Sequence, residues 1–120
     1  MAKIFLVSFV RELVEGSDKV LRAAGYDVTL AMTYPDALRA AEQAAFDVAV
    51  LGYTVPEEER NQLARAIKQK NADTQIIIFY FDNIGNTELA DVLIQTTASA
   101  EDLLRAVEYT VSKRDQSRTG

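Results

Sequence analysis

The chain has 120 residues, a net charge of −5 and an apolar fraction of 48%, which is enough for one domain with one core. It contains no cysteine and no histidine, which excludes a disulfide framework, a thiolate nucleophile and the commonest general base. The acidic balance argues against a nucleic-acid partner. The apolar start KIFLVSFV is too short to span a bilayer and lacks a cleavage-like site, so we expect a cytoplasmic protein without a membrane segment.

Short apolar runs alternate with longer segments of helical period from the start of the chain. KIFLVS (3–8) predicts a buried strand because it is rich in branched and aromatic residues. Apolar residues at three- and four-residue spacing predict a helix over 10–24, which Gly25 ends. DVTLA (27–31) predicts the second strand. The following segment, TYPDALRAAEQAA, predicts a helix with Pro35 near its first turn, where a missing N–H does no harm.

The same alternation continues to the end of the chain. DVAVL (47–51) predicts the third strand, and PEEERNQLARAIKQKN predicts a helix whose acidic start and basic end suit the helix dipole. TQIIIFYF (74–81) predicts a central strand because its apolar run is continuous. DVLIQ (91–95) predicts the fifth strand, and Ser99 is a suitable N-cap for a final helix. This order predicts a parallel sheet with helices on both faces.

The fourth crossover is short. About nine residues, DNIGNTELA, lie between the fourth and fifth predicted strands, and only NTELA can form a helical turn. We therefore expect the helix between these strands to be shortened or missing. The predicted domain covers residues 1–113. Residues 114–120 are polar and are predicted to form a disordered tail or the start of a linker.

Four segments share their order and spacing with a known family. KIFLVS, LRAAGYDVTLA, FDVAVLGYTVP and SAEDLLRAV resemble segments of the receiver domain of bacterial two-component response regulators. In that family they form the first strand, the link to the second strand, the third strand with its phospho-acceptor aspartate, and the start of the last helix. The resemblance covers residues 3 to about 112. It implies a flavodoxin-like three-layer sandwich with five parallel strands in the order 2-1-3-4-5.

The resemblance also implies where phosphorylation chemistry would lie. In the family, two acids after the first strand and an aspartate after the third strand hold Mg²⁺, and this aspartate accepts the phosphoryl group. A Ser or Thr after the fourth strand and a Lys after the fifth bind the phosphoryl oxygens. These positions fall on Ser8, Phe9, Gly52, Tyr80 and Thr96. None is a carboxylate or a cation, so we expect a degenerate receiver with no Mg²⁺, no cofactor and no catalytic residue.

Aromatic residues stand beside several of these positions. We predict that Phe9, Tyr53, Tyr80 and Phe81 converge as a plug that fills the former acidic pocket, where each buried ring would contribute about 1.5–3 kcal/mol. The alternative is that some of these rings are exposed or pack in the ordinary core.

These observations favour a receiver-like signalling domain that is not an enzyme and acts through protein contacts without phosphorylation. Its partner would be another protein or a second copy of the chain. The alternative, from a different class, is a small-molecule sensor with a pocket at the C-terminal edge of the sheet. A third hypothesis keeps phosphorylation on an unorthodox residue such as Asp82, although a turn role suits that residue better.

Overall fold

Five parallel strands form the centre of the molecule in the order β2-β1-β3-β4-β5, which confirms the predicted flavodoxin-like topology. The structure is a computed structural model, and it describes residues 2–80, 89–95 and 100–119. The described elements, in chain order, are β1 (Lys3–Val7), α1 (Arg11–Ala23), β2 (Asp27–Ala31), α2 (Tyr34–Gln43), β3 (Val48–Leu51), α3 (Glu57–Lys70), β4 (Gln75–Tyr80), β5 (Val92–Gln95) and α4 (Ala100–Thr119).

The three central strands bury side chains on both faces, as a parallel sheet covered by helices requires. One face packs against α2 and α3, and it includes a stacked pair of rings, Phe5 and Phe46, whose centroids lie 4.6 Å apart. The other face packs against α1 and α4. The strand residues of the first face are Phe5, Val7, Ala49, Leu51, Ile76 and Ile78. Those of the second face are Ile4, Leu6, Val48, Val50 and Ile77.

The helix that was predicted after the second strand begins as its sequence indicates. The side chain of Thr33 accepts a hydrogen bond from the backbone N–H of Asp36, and Pro35 lies in the first turn. Small residues, Ala37 and Ala41, face inward and are fully buried. Both belong to the core cluster that lies between α2, α3 and the sheet.

The last helix is longer than the sequence analysis predicts. α4 continues to Thr119, whereas a disordered tail was expected from residue 114. This expectation is wrong for 114–119 because no proline or glycine interrupts the helix before Gly120. The domain boundary at residue 113 stays a prediction. Within the described ranges, no helix is long and apolar enough to cross a membrane.

The connection from β4 to β5 consists of residues 81–91, and the predicted short or missing helix falls mostly on 81–88, outside the described residues. Asp91, the last residue of this connection, anchors β5 to the sheet. The carboxylate of Asp91 accepts hydrogen bonds from the backbone N–H of Ile76 at 2.8 Å and from Lys68 Nζ at 3.1 Å. Lys68 also donates to the carbonyl of Thr74 at 2.6 Å. Asp91 therefore ties the start of β5 to both β4 and α3.

Candidate functional site

The carboxyl ends of β1, β3 and β4 lie side by side at one edge of the sheet, because these neighbouring strands are parallel. Ser8 follows β1 and is buried, Gly52 follows β3 and is half-buried, and Tyr80 is the last residue of β4. With Phe9, which follows Ser8, four of the five predicted positions lie along this edge. Thr96 lies outside the described residues.

Two hydroxyl groups join the ends of β1 and β3 at this edge. Thr54 Oγ1 accepts a hydrogen bond from the backbone N–H of Phe9 at 2.9 Å and lies 3.3 Å from Ser8 Oγ. Ser8 Oγ is also 3.4 Å from the carbonyl oxygen of Val10, to which it can donate. We call Ser8 and Thr54 the hydroxyl pair. It occupies the space between the two strand ends with neutral groups whose oxygen atoms already take part in hydrogen bonds.

Gly52 lies against the end of β1 with little space for a side chain. Its backbone N–H donates to the carbonyl oxygen of Val7 at 2.8 Å. A Cβ added at residue 52 would lie 3.1 Å from that same oxygen and 3.4 Å from the Cβ of Ser8. The oxygen contact is closer than most Cβ atoms tolerate. The missing side chain of Gly52 therefore permits the close approach of the β1 and β3 ends.

Three of the four rings of the predicted plug are described, and their surroundings differ. Phe9 is half-buried and packs against the core cluster on the α2 and α3 face. Tyr80 is half-buried, whereas Tyr53 is 42% exposed. Phe81 lies outside the described residues. Phe9 thus joins the core while Tyr53 keeps much of its ring in solvent, and convergence of all four rings stays a prediction.

A buried cation lies on the helix that follows this edge. Arg60 belongs to the first turns of α3 and is 5% exposed. Burial lowers the pKa of Arg60, and the nearby carboxylate of Glu57 opposes this shift. Arg60 is not among the predicted site residues because a charged side chain is usually exposed, although its spacing from Leu63 and Ile67 places it on the buried face of α3.

The described donors at this edge do not fit a magnesium ion. Mg²⁺ prefers carboxylate oxygens and water in near-octahedral geometry. Here the side-chain oxygens between β1 and β3 belong to the hydroxyl pair and are engaged in hydrogen bonds. Within the described residues, no group of three or more acidic, histidine or cysteine side chains is placed to hold a metal ion.

Thr54 is the site residue that sequence reasoning missed. Its signal was present, since LGYTVP places a hydroxyl three residues beyond a buried strand and KIFLVS ends the first strand with another. The family resemblance points to Gly52 instead. Only the parallel pairing of β1 with β3 shows that the two hydroxyls meet.

No protein-family model and no curated protein matches the sequence. Solved structures do share the fold. The CheY-like response regulator receiver domain from Methanospirillum hungatei JF-1 superposes with a TM-score of 0.81 at 18% identity, and the match covers 98% of each chain. The adenylate cyclase from Rhodopirellula baltica superposes with a TM-score of 0.81 at 14% identity, over 98% of this chain and 93% of that chain.

A third structure, response regulator TrrA from Thermotoga maritima in complex with Mg(2+)-BeF, superposes with a TM-score of 0.75 at 21% identity, over 92% of this chain and 99% of that chain. Likeness at these identities establishes the fold. The chain folds as receiver domains do, which confirms the architecture that the four sequence segments implied.

Proposed function

We propose that this chain is a receiver-type domain of two-component signalling that works through protein contacts and without phosphorylation. The observation that carries the proposal is the hydroxyl pair, Ser8 and Thr54, which joins β1 to β3 where a phosphorylatable receiver needs clustered carboxylates. The fold supports the signalling class, and the local chemistry supports independence from phosphorylation.

The chemistry of phosphoryl transfer explains why the hydroxyl pair matters. Such transfer depends on a positioned nucleophile and on cations that neutralise the charge spread over the phosphoryl oxygens. Gly52 offers no nucleophile. A serine hydroxyl is a weak nucleophile unless a base activates it, and Ser8 Oγ faces another hydroxyl and the carbonyl of Val10. Attack by Ser8 therefore lacks a base that would activate it.

The domain would act as a surface for other proteins, in the cytoplasm and without catalytic turnover. The sheet and its two packed faces give it a rigid framework, and protein contact requires no cofactor. Among the described residues, four large apolar side chains are exposed, and they are Val10, Tyr53, Leu93 and Tyr109. Val10 and Tyr53 lie at the edge that carries the hydroxyl pair, so this edge itself presents apolar surface to a partner.

Incubation of the protein with acetyl phosphate and Mg²⁺, followed by intact-mass measurement, tests the proposal. We expect no species heavier by one phosphoryl group. TrrA from Thermotoga maritima, incubated and measured in the same way, is the control receiver for labelling. Stoichiometric labelling would overturn the proposal. Mapping of that label to Asp82 would establish the alternative in which an unorthodox residue accepts the phosphoryl group.

A further inference from the structure

In the described structure, α1 begins without the side-chain hydrogen bond that usually stabilises a helix start. Val10 stands at its N-cap position with φ −121° and ψ 116°, the extended geometry of an N-cap residue. A valine side chain has no oxygen that could accept a bond from the first backbone N–H groups. At the same position of α2, Thr33 has nearly the same shape and accepts from the N–H of Asp36. The start of α1 therefore lacks a stabilising contact that α2 has.

A glycine inside the same helix weakens it at a second point. Gly16 is exposed, and a Cβ added there would meet no described atom within 4 Å beyond its chain neighbours and its own helix backbone. Among the described residues, a positive φ occurs at Gly25 and not at Gly16. Neither close packing nor backbone conformation therefore requires a glycine at residue 16. Relative to alanine, glycine lowers the equilibrium constant for helix formation about fivefold.

The second half of α1, beyond Gly16, is anchored to the rest of the molecule. Leu21 is fully buried in the core. The guanidinium of Arg22 binds the carboxylate of Asp18 at 2.7 Å and donates to the carbonyl oxygen of Val28, in β2, at 2.9 Å. These contacts hold the end of α1 against the sheet, so the weak points of the helix lie before its anchored half.

The hydroxyl pair holds the chain at the other end of the weak stretch. Thr54 Oγ1 accepts from the backbone N–H of Phe9 at 2.9 Å, and Ser8 Oγ lies 3.4 Å from the carbonyl oxygen of Val10, to which it can donate. Both bonds reach the two residues that precede α1. The helix start therefore cannot move away from the sheet edge without breaking them.

We propose that the first turns of α1, residues 11–16, open as a local unit, with Gly16 as the hinge and the hydroxyl pair as the restraint. Segments with few stabilising contacts open locally at a lower free energy than global unfolding requires. Opening changes the shape of the sheet edge at Val10, whose exposed side chain belongs to the proposed contact surface. The inference rests on the proposed function only for this use, because opening itself requires no partner.

Native-state hydrogen exchange of the wild-type protein at low urea concentrations tests the local opening. The amides of residues 14–17 should exchange at rates nearly independent of urea, because a local opening exposes little surface. The amides of residues 20–23, in the anchored half of α1, should show the urea dependence of global unfolding. An equal urea dependence for the two groups of amides would overturn the inference, since it would show that α1 opens only with the whole domain.

Two substitutions at the weak points should make opening rarer. Gly16→Ala raises helix propensity and Val10→Thr supplies an N-cap oxygen, so each should slow exchange at residues 14–17 about fivefold. Thr33→Val is the matched control for the cap, because it removes the same group from α2. It should speed exchange in the first turns of α2 and leave residues 14–17 unchanged. If neither Gly16→Ala nor Val10→Thr slows exchange at residues 14–17, the inference is wrong.

Thr54→Val tests the restraint, because it keeps the shape of the side chain and removes the acceptor of the Phe9 N–H. Exchange at residues 14–17 should become about fivefold faster, with its weak urea dependence retained. An unchanged rate would overturn the role of the hydroxyl pair as the restraint. Failure here would leave the acetyl phosphate result untouched, and labelling by acetyl phosphate would likewise leave the exchange measurements standing.

Discussion

Gly52→Asp is expected to lower the free energy of unfolding by about 1–3 kcal/mol and to leave the protein unable to accept a phosphoryl group. The new Cβ would lie 3.1 Å from the carbonyl oxygen of Val7, so the ends of β1 and β3 must move apart. The added carboxylate would enter a half-buried position beside the hydroxyl pair. On our proposal this edge holds no metal ion, so the charge neutralisation that phosphoryl transfer requires would still be missing.

Urea unfolding and acetyl phosphate labelling measure the two parts of this expectation. Gly52→Ala is the control for stability, because it adds the Cβ without a charge. It should show the steric part of the loss alone. Labelling of Gly52→Asp at residue 52 would contradict the account, since it would show that a single carboxylate restores the chemistry.

Asp91→Ala is expected to destabilise the protein by about 2–4 kcal/mol, because this one carboxylate accepts hydrogen bonds from two donors. Its loss leaves the backbone N–H of Ile76 without its acceptor and removes the carboxylate that Lys68 binds at 3.1 Å. Since this contact lies at the start of β5, the amides of that strand should exchange with solvent faster than those of β3. Denaturant unfolding and hydrogen exchange provide the two measurements.

Asp91→Asn separates the contributions of the hydrogen bond and the charge. It keeps an oxygen that can accept from Ile76 while removing the ion pair, so we expect a loss of about 1 kcal/mol. Side chains of both Lys68 and Asp91 are partly exposed, which limits the contribution of the ion pair itself. An Asp91→Ala variant as stable as the wild type would show that β5 does not depend on this anchor.

The sequence predicted the strands well because their signal is local. Each strand is a short apolar run bounded by polar or turn-forming residues, and the βαβ order restricts the sheet to few topologies. The end of the last helix was predicted less well. The polar composition of residues 114–119 predicts a disordered tail or the start of a linker, but polar residues continue a helix when no proline or glycine stops them.

The position of the site could be predicted from the sequence, but the side chains that fill it could not. Parallel strands bring their carboxyl ends to one edge, so Ser8, Gly52 and Tyr80 could be placed there from the sequence. Which side chains fill the gap depends on the direction of each side chain beyond the strand end, and that is set by tertiary contacts. The bond from Phe9 to Thr54 joins residues 45 positions apart, and no local pattern reports it.

On our proposal, the positions that fall on Ser8, Gly52 and Tyr80 have a common physical explanation. A cluster of carboxylates is stable when a divalent ion compensates their mutual repulsion. Without the ion, this repulsion destabilises the folded state. At this edge hydroxyls and a glycine provide close contact between β1 and β3 without any charge to compensate. On our proposal, the geometry of the strand ends is kept while the chemistry is lost.

The central claim is tested most directly by an NMR titration of the wild-type protein with Mg²⁺ and beryllofluoride, in which the amide chemical shifts are recorded at each step. The resonances of Ser8, Gly52 and Thr54 report on the ends of β1 and β3. We predict that they show no saturable shift, while TrrA from Thermotoga maritima binds under the same conditions. Saturable, coupled shifts at these three residues would contradict the account, because they would place a metal and a phosphoryl mimic beside the hydroxyl pair.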